Sequence, residues 1–274
     1  MVNTAEQFLA RLAYENAVLV SVDSSQGSVP RERGAWMAVF GAAIVGTIGG
    51  GKLEFEAIDE ARERLQKGLS DAPSVLRYPL GPSLGQCCGG VVHLRFELLG
   101  AADVPLLRAR LAERLQPVAL FGGGHVGSAL ARILATLPFS VTWIDSRDGI
   151  FPERLPANVR CEHSDPVQAA VRELVPGSQV LIMSFSHAED LDVVAACLKR
   201  LRVASDLPYV GLIGSKTKWA TFRHRLEERG FTADELARIT CPIGVPGIAG
   251  KEPEVIAVSV AAQLLQTLEH VGPT

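Results

Sequence analysis

An excess of basic residues and a long apolar run are both missing from this chain, and each absence excludes a class of function. Lys and Arg together number 27 against 30 Asp and Glu, a net charge of −3 with a pI near 6.1. No electrostatic footprint for nucleic acid or for an anionic membrane surface is expected from that balance. Residues 35–51 are 17 residues without a charge, of which five are glycine. They read as short strands and turns rather than a membrane span. Residues 1–10 carry Glu6 and no basic residue ahead of an apolar run, so they are not expected to act as a secretory signal. Five cysteines are too few and too irregularly spaced for a secreted disulfide framework, which makes a reducing cytoplasm the simplest setting. Neither an internal repeat nor a low-complexity tract is visible.

What remains is an ordinary core-forming composition, 47% hydrophobic and 21% charged over 274 residues, enough for two domains. An amphipathic helix is predicted over 4–16, then a strand over 17–23 in which Val18, Val20 and Val22 alternate. Short strands follow over 36–40 and 43–47. A helix over about 52–67 carries Leu53, Ala57, Ile58, Ala61 and Leu65 on one face. Segments 75–78 and 91–98 read as strands flanking a loop over 80–90. From Pro117 onward the pattern becomes strand and helix in strict alternation, with strands near 118–121, 140–144, 159–161, 179–184 and 209–213 and a closing helix over 253–270. Strands separated by helical crossovers imply a parallel sheet covered on both faces. The expected domains are therefore 1–112, mixed α/β, and 113–274.

The second domain opens with Gly122-Gly123-Gly124-His125-Val126-Gly127, which fits G-x-G-x-x-G. Here it follows an apolar strand and begins a helix, the context that gives the pattern meaning. Gly122 permits the tight turn, Gly124 lets backbone approach a pyrophosphate at the helix N-terminus, and Gly127 permits close helix packing. Asp145 ends the next strand, where an acid would hold a ribose hydroxyl. Two other loops should reach the same crevice: Ser184 to His187, and Gly214-Ser215-Lys216, where Lys216 could meet a phosphate. The fold expected is a Rossmann-type doubly wound parallel sheet in the order 3-2-1-4-5. The same glycines also suit a shell kept for packing alone.

Two motifs stand out in the first domain. Residues 46–54 run from a strand through Gly49, Gly50 and Gly51 into a helix, and their amides would cradle an anion. Residues 80–90 place Gln86, Cys87 and Cys88 in a loop with Gly81, Gly85, Gly89 and Gly90. Cys161 and Cys197, by contrast, lie in apolar runs expected to be core. Thiolates are nucleophiles and soft metal ligands, and molybdenum and persulfide sulfur are both suitable clients. No second Cys or His pair stands at zinc-ligand spacing, and neighbouring cysteines close only a strained disulfide ring. Arg31 or Lys52, if close, would lower a thiol pKa.

These blocks resemble the XdhC/CoxI family, the accessory proteins of xanthine dehydrogenase. The resemblance rests on Gly27-Ser28-Val29-Pro30-Arg31 with Gly34-Ala35, on 46–54 and on Gly85-Gln86-Cys87-Cys88-Gly89-Gly90. In the second domain it rests on 121–127, Asp145-Ser146-Arg147, 209–216 and Cys241-Pro242-Ile243-Gly244. One departure is residues 245–250, where the family's spacing is altered. The resemblance implies a chaperone rather than an enzyme. Such a protein binds the molybdenum cofactor, as molybdopterin or its cytosine dinucleotide, and holds it while a cysteine desulfurase supplies the sulfido ligand. It then delivers the cofactor to a xanthine dehydrogenase-type molybdenum hydroxylase. A homodimer is compatible with this role. On that reading Cys87 and Cys88 meet the molybdenum or its sulfur. Gln86, Arg31, Gly49, Gly50 and Gly51 line the cofactor, and Gly122, Gly124, His125, Gly127, Asp145, His187 and Lys216 hold its nucleotide part. An NAD(P)-dependent oxidoreductase would explain 122–145 equally well but not the cysteine loop. It also lacks an evident Tyr/Lys or His/Asp catalytic set. A scaffold with both clefts empty is the third reading.

Overall fold

The computed structural model describes residues 4–68, 73–80, 90–111 and 115–268. The chain divides into two compact units, Met1–Ala112 and Glu113–Thr274. Among the described residues, no helix is long and apolar enough to cross a membrane.

The N-terminal unit is built on α1 (Thr4–Leu12), β1 (Ala17–Gln26), β2 (Trp36–Val39), β3 (Ile44–Gly46), α2 (Gly51–Lys67), β4 (Ser74–Pro79), β5 (Val91–Leu99) and α3 (Val104–Arg110). Its strands form one antiparallel sheet in the order β3-β2-β1-β5-β4. The valine alternation in β1 does what period-two patterning dictates. Val18, Val20 and Val22 meet Leu53, Ala57, Ile58 and Ala61 of α2. Ala17 and Leu19 face the other way, onto Phe8, Leu9 and Leu12 of α1 and Leu107 of α3. β1 is thus covered on both sides over its first half, and it runs three residues beyond the expected end through a register shift between Val22 and Ser24.

The C-terminal unit contains β6 (Gln116–Phe121), α4 (His125–Leu134), β7 (Phe139–Asp145), β8 (Val159–His163), a 3₁₀ helix (Val167–Glu173), β9 (Gln179–Ile182) and α5 (His187–Val203). After these come β10 (Tyr209–Leu212), α6 (Lys216–Glu228), α7 (Ala233–Leu236), β11 (Ile239–Thr240) and α8 (Pro253–Leu268). Every strand pair is parallel, in the order β11-β10-β9-β6-β7-β8. Numbered within the unit this is 3-2-1-4-5 with a sixth strand added at the edge, the doubly wound arrangement. α4 and α8 cover one face through Val118, Leu120, Val141, Trp143 and Leu181. α5, α6 and the 3₁₀ helix cover the other through Ala119, Phe121, Ile144, Val180, Ile182 and Leu212.

Alternation of strand and α-helix fails at two successive crossovers. Between β7 and β8 the chain crosses as an irregular segment, and between β8 and β9 as the 3₁₀ helix. Gly149, Pro152 and Pro156 break any helix over 146–158. Asn158 fixes the crossover instead, donating its side-chain amide to the carbonyls of Phe139 at 2.9 Å and Ala135 at 3.2 Å.

Candidate functional site

In the N-terminal unit the glycine-rich turn is shaped by its neighbours. Gly49 sits at φ +121°, and a Cβ there would lie 2.7 Å from the Pro30 side chain. Both the left-handed backbone and the close approach require glycine. The turn thereby packs directly on the Gly27-to-Arg31 loop, itself anchored by Val29 against the core. Gly90, beyond the cysteine motif, meets the same loop. Leu80 donates its N–H to the carbonyl of Gly90 at 2.7 Å, closing the base. A Cβ on Gly90 would stand 2.5 Å from the Ser28 carbonyl oxygen and 2.6 Å from that of Gln26. Three segments separated in sequence thus converge at one end of β1. Gln86, Cys87 and Cys88 lie outside the described residues.

The anion expected at Gly49, Gly50 and Gly51 is present, and the chain supplies it. Glu54, in the first turn of α2, reaches back so that its Oε2 accepts from the Thr47 hydroxyl at 2.5 Å and from the amides of Ile48 and Gly50 at 3.0 Å each. α2 has no side-chain cap at Gly50, and the carboxylate takes that role at the positive end of the helix. Arg31 is exposed beside Gly49, and Lys52 is exposed and 3.9 Å from Glu56.

In the C-terminal unit the turn after β6 has the opposite character. Gly122 lies at φ +122° against β9, where a Cβ would be 2.0 Å from the Met183 carbonyl oxygen. A Cβ on Gly127 would be 2.0 Å from the Gly122 carbonyl oxygen, which brings α4 hard onto the turn. Trp143 donates its indole N–H to that carbonyl at 2.9 Å. Gly124 differs from both: a Cβ there meets nothing within 4 Å. It is the N-cap of α4 and no side chain caps the helix, so the helix terminus is open where a phosphate would approach. His125, the first residue of α4, is exposed.

Asp145 is 1% exposed, and its carboxylate is surrounded. Oδ2 accepts from the Gly123 amide at 2.5 Å and Arg147 Nη2 at 2.9 Å; Oδ1 accepts from the Arg147 amide at 2.9 Å and its Nε at 2.8 Å. A carboxylate offers about four acceptor positions, and four donors fill them. A ribose hydroxyl would have to displace one. Burial by itself raises the Asp145 pKa, but the Arg147 side chain and the two amides outweigh it and hold the carboxyl below its ordinary value.

Sequence reasoning passed over Arg147, Phe185, Glu189, Asp190 and Lys218 as functional side chains. Ser146 donates to Glu189 Oε1 at 2.6 Å and Phe185 donates its N–H to Oε2 at 3.1 Å, tying the loop after β7 to the start of α5. The Ser186-x-x-Glu189 spacing marks this helix start in sequence. Lys218 and Asp190, with side chains 12% and 3% exposed, form an ion pair at 2.6 Å. The other Asp190 oxygen takes the Ser184 amide and hydroxyl at 2.8 and 2.6 Å. Lys216, which the sequence singled out, is exposed at the start of α6, while Lys218 points inward. His187 is exposed at the start of α5, edge-on to Phe222 at 6.2 Å.

Burial disfavours the thiolate form of the cysteines among the described residues. Burial raises the Cys161 thiol pKa. It pushes Cys197 up to about 12 and Cys241 up to about 11, with Arg200 and Lys218 offsetting only part of the effect. No cluster of three or more His, Cys, Asp or Glu suited to a metal occurs among the described residues.

Comparison with known proteins matches this division of the chain. A family model described as XdhC and CoxI family matches residues 10–79, and one described as the XdhC Rossmann domain matches residues 118–264. The uncharacterized protein YqeB of Escherichia coli strain K12 is 27% identical over 264 residues, covering 94% of this chain and 45% of YqeB. The chain therefore spans about half the length of that curated relative. A crystal structure of a xanthine dehydrogenase (BH1974) from Bacillus halodurans matches with a TM-score of 0.80 at 19% identity, over 99% of this chain and 97% of that one, a likeness of fold. With one model lying on the unit that bears the converging loops and the other, over half the chain, on the sheet that bears the open turn, the chain belongs to the XdhC and CoxI family.

Proposed function

We propose that this protein serves the maturation of a xanthine dehydrogenase-type molybdenum hydroxylase. It binds the molybdenum cofactor, holds it while a cysteine desulfurase supplies sulfur, and hands it to the enzyme. Family membership supports the client, and the Bacillus halodurans protein of the same fold carries the name xanthine dehydrogenase. The observation that carries cofactor binding is the open turn at Gly124: a helix start with no side-chain cap and with space where a Cβ would go. The molybdenum cofactor ends in a phosphate, or a pyrophosphate in its dinucleotide form, and this turn fits such a group. The triple glycine of the N-terminal unit does not fit it as it stands, because the Gly50 amide goes to Glu54 and the Gly49 amide to the Thr47 hydroxyl oxygen. In the N-terminal unit the candidates from the resemblance remain Arg31 and the cysteine loop, whose Gly90 end packs on Ser28. An NAD(P)-dependent oxidoreductase would use the same turn. The Asp145 carboxylate already holds four donors, and the ribose diol by which such enzymes recognise NAD would have to displace one of them.

The test is the molybdenum and pterin content of protein purified from a molybdenum-replete host, together with its ability to activate a demolybdo hydroxylase. Gly124→Val should lose cofactor at little cost in melting temperature, since a Cβ there meets no atom within 4 Å. Of Cys87→Ala and Cys88→Ala, one should lose cofactor and the other behave as wild type. Full retention by Gly124→Val and by the double cysteine variant would overturn the proposal.

A further inference from the structure

Two neighbouring crossovers on one face of the C-terminal sheet differ in length. Between β9 and β10 the chain crosses as α5, 17 residues and about 25 Å of helix. Between β8 and β9 it crosses as the seven-residue 3₁₀ helix, about 14 Å long. The short crossover leaves a flank of α5 uncovered, and a trough of about 890 Å³ opens along it. Ala195, Ala196 and Val203 of α5 and Ala169 of the 3₁₀ helix give it an apolar floor, and Val203 is 90% exposed. The charges around this floor are sorted. Arg200 pairs with Asp206 at 2.6 Å and Arg229 with Asp192 at 2.8 Å, so both acids of the lining are neutralised. Arg172 on the 3₁₀ wall and Lys199 on the α5 wall are exposed and make no ion pair among the described residues. One end of the trough lies at Asp206, ahead of the amino end of β10, and β10, β9 and β6 run parallel. That end is therefore remote from the carboxyl ends of the strands, where the glycine turn lies.

We propose that this trough docks an acidic amphipathic helix of a partner protein. The occupant is a helix because the space beside α5 is the one that a full-length crossover helix holds in a doubly wound sheet. The alanines on both walls let such a helix pack at an ordinary interaxial distance of about 8–10 Å. Its apolar side chains cover the floor and Val203, and carboxylates on its two flanks meet Arg172 and Lys199. A basic helix is disfavoured, because it would set its cations against two arginines already satisfied and two cations with no acid to share. Nothing in this docking depends on what the glycine turn binds.

Fluorescence anisotropy tests the proposal with the full-length protein and two labelled helical peptides about 18 residues long. One has a face of Leu and Ala flanked by Glu, and the other is identical with Lys in place of each Glu. Wild type should bind the acidic peptide and prefer it over the basic one by about tenfold or more. The double variant Arg172→Glu/Lys199→Glu, which alters only exposed side chains, should invert that preference. Ala169→Trp, at an exposed position of the 3₁₀ wall, should weaken the acidic peptide with the circular dichroism spectrum unchanged. Failure of wild type to bind the acidic peptide, equal binding of the two peptides, or an acidic peptide indifferent to all of these substitutions would overturn the docking site. Displacement of the peptide by dodecanoate would assign the trough to a small anionic amphiphile, and a dimer that Ala169→Trp dissociates would assign it to a second copy of this chain. Either result would overturn the partner helix.

Discussion

Each unit carries a glycine-rich turn between a strand and a helix, and the two turns spend their backbone amides differently. In the N-terminal unit Glu54 lies three residues past the last glycine, and its carboxylate closes on the amides of Ile48 and Gly50. In the C-terminal unit the four residues after Gly124 are His125, Val126, Gly127 and Ser128, none of them acidic. The nearest acid, Asp145, arrives from β7 and takes the amide of Gly123, leaving the helix start at Gly124 open. Glycines thus report the conformation the backbone must adopt. Whether an outside anion can approach depends on whether the chain has an acid of its own within reach.

The comparison breaks most sharply at Gly122. Gly122→Ala puts a Cβ 2.0 Å from the Met183 carbonyl oxygen at φ +122°, and a backbone oxygen cannot swing aside. The expected loss is on the order of 3 kcal/mol, read by urea unfolding of the C-terminal unit. Gly124→Ala, two residues on, should change stability by less than about 1 kcal/mol. Similar losses in the two variants would mean that both glycines serve packing.

Glu54→Ala removes the internal anion of the other turn and strands the amides of Ile48 and Gly50. The N-terminal unit should lose about 2 kcal/mol, the scale of unsatisfied part-buried donors. The vacated turn should then bind inorganic phosphate or sulfate, which the wild type should not. If calorimetry detects no anion in the variant, the turn is a cap and nothing more.

The smallest effect concerns acid. The Asp145 carboxyl is held below its ordinary value, so its contribution to stability is fully present above the unfolded pKa of about 3.9 and is lost as pH falls through the folded value. Asp145→Asn should therefore melt lower than wild type near neutrality, with the gap narrowing from about pH 4 downward. A gap that stays constant would place the role of Asp145 in shape rather than charge.

Much of this was legible in the sequence, for identifiable reasons. The β1 valines alternate because α2 covers one side of that strand, and the 3-2-1-4-5 order follows from parallel strands and right-handed crossovers. β11 was not legible, because Ile239 and Thr240 are too few to show a period. The crossover over 146–158 was misread as helical, although Gly149, Pro152 and Pro156 stand in it. The cradle at Gly49 to Gly51 was legible as a cradle. Its occupant was not, although Glu54 lies within the first helical turn. Arg147 was legible as part of the Asp145-Ser146-Arg147 block, but its contact with Phe185 was not, because it joins residues 38 positions apart that only the pairing of β7 and β9 about β6 brings together. Cys87 and Cys88 were singled out by sequence alone and remain the subject of the cofactor-retention test.

The indole of Trp143 has a use apart from packing. It is 2% exposed, stacks edge-on to Phe151 at 5.3 Å, and donates its N–H to the carbonyl of Gly122. Of the three tryptophans, Trp36 belongs to the N-terminal unit and Trp219 to α6. Trp143 alone is bonded to the turn, and indole emission is sensitive to that bond. A chain in which Trp36 and Trp219 are replaced by phenylalanine would carry a single fluorophore wired to the glycine turn, and any molecule settling on that turn would announce itself in the emission spectrum without a label.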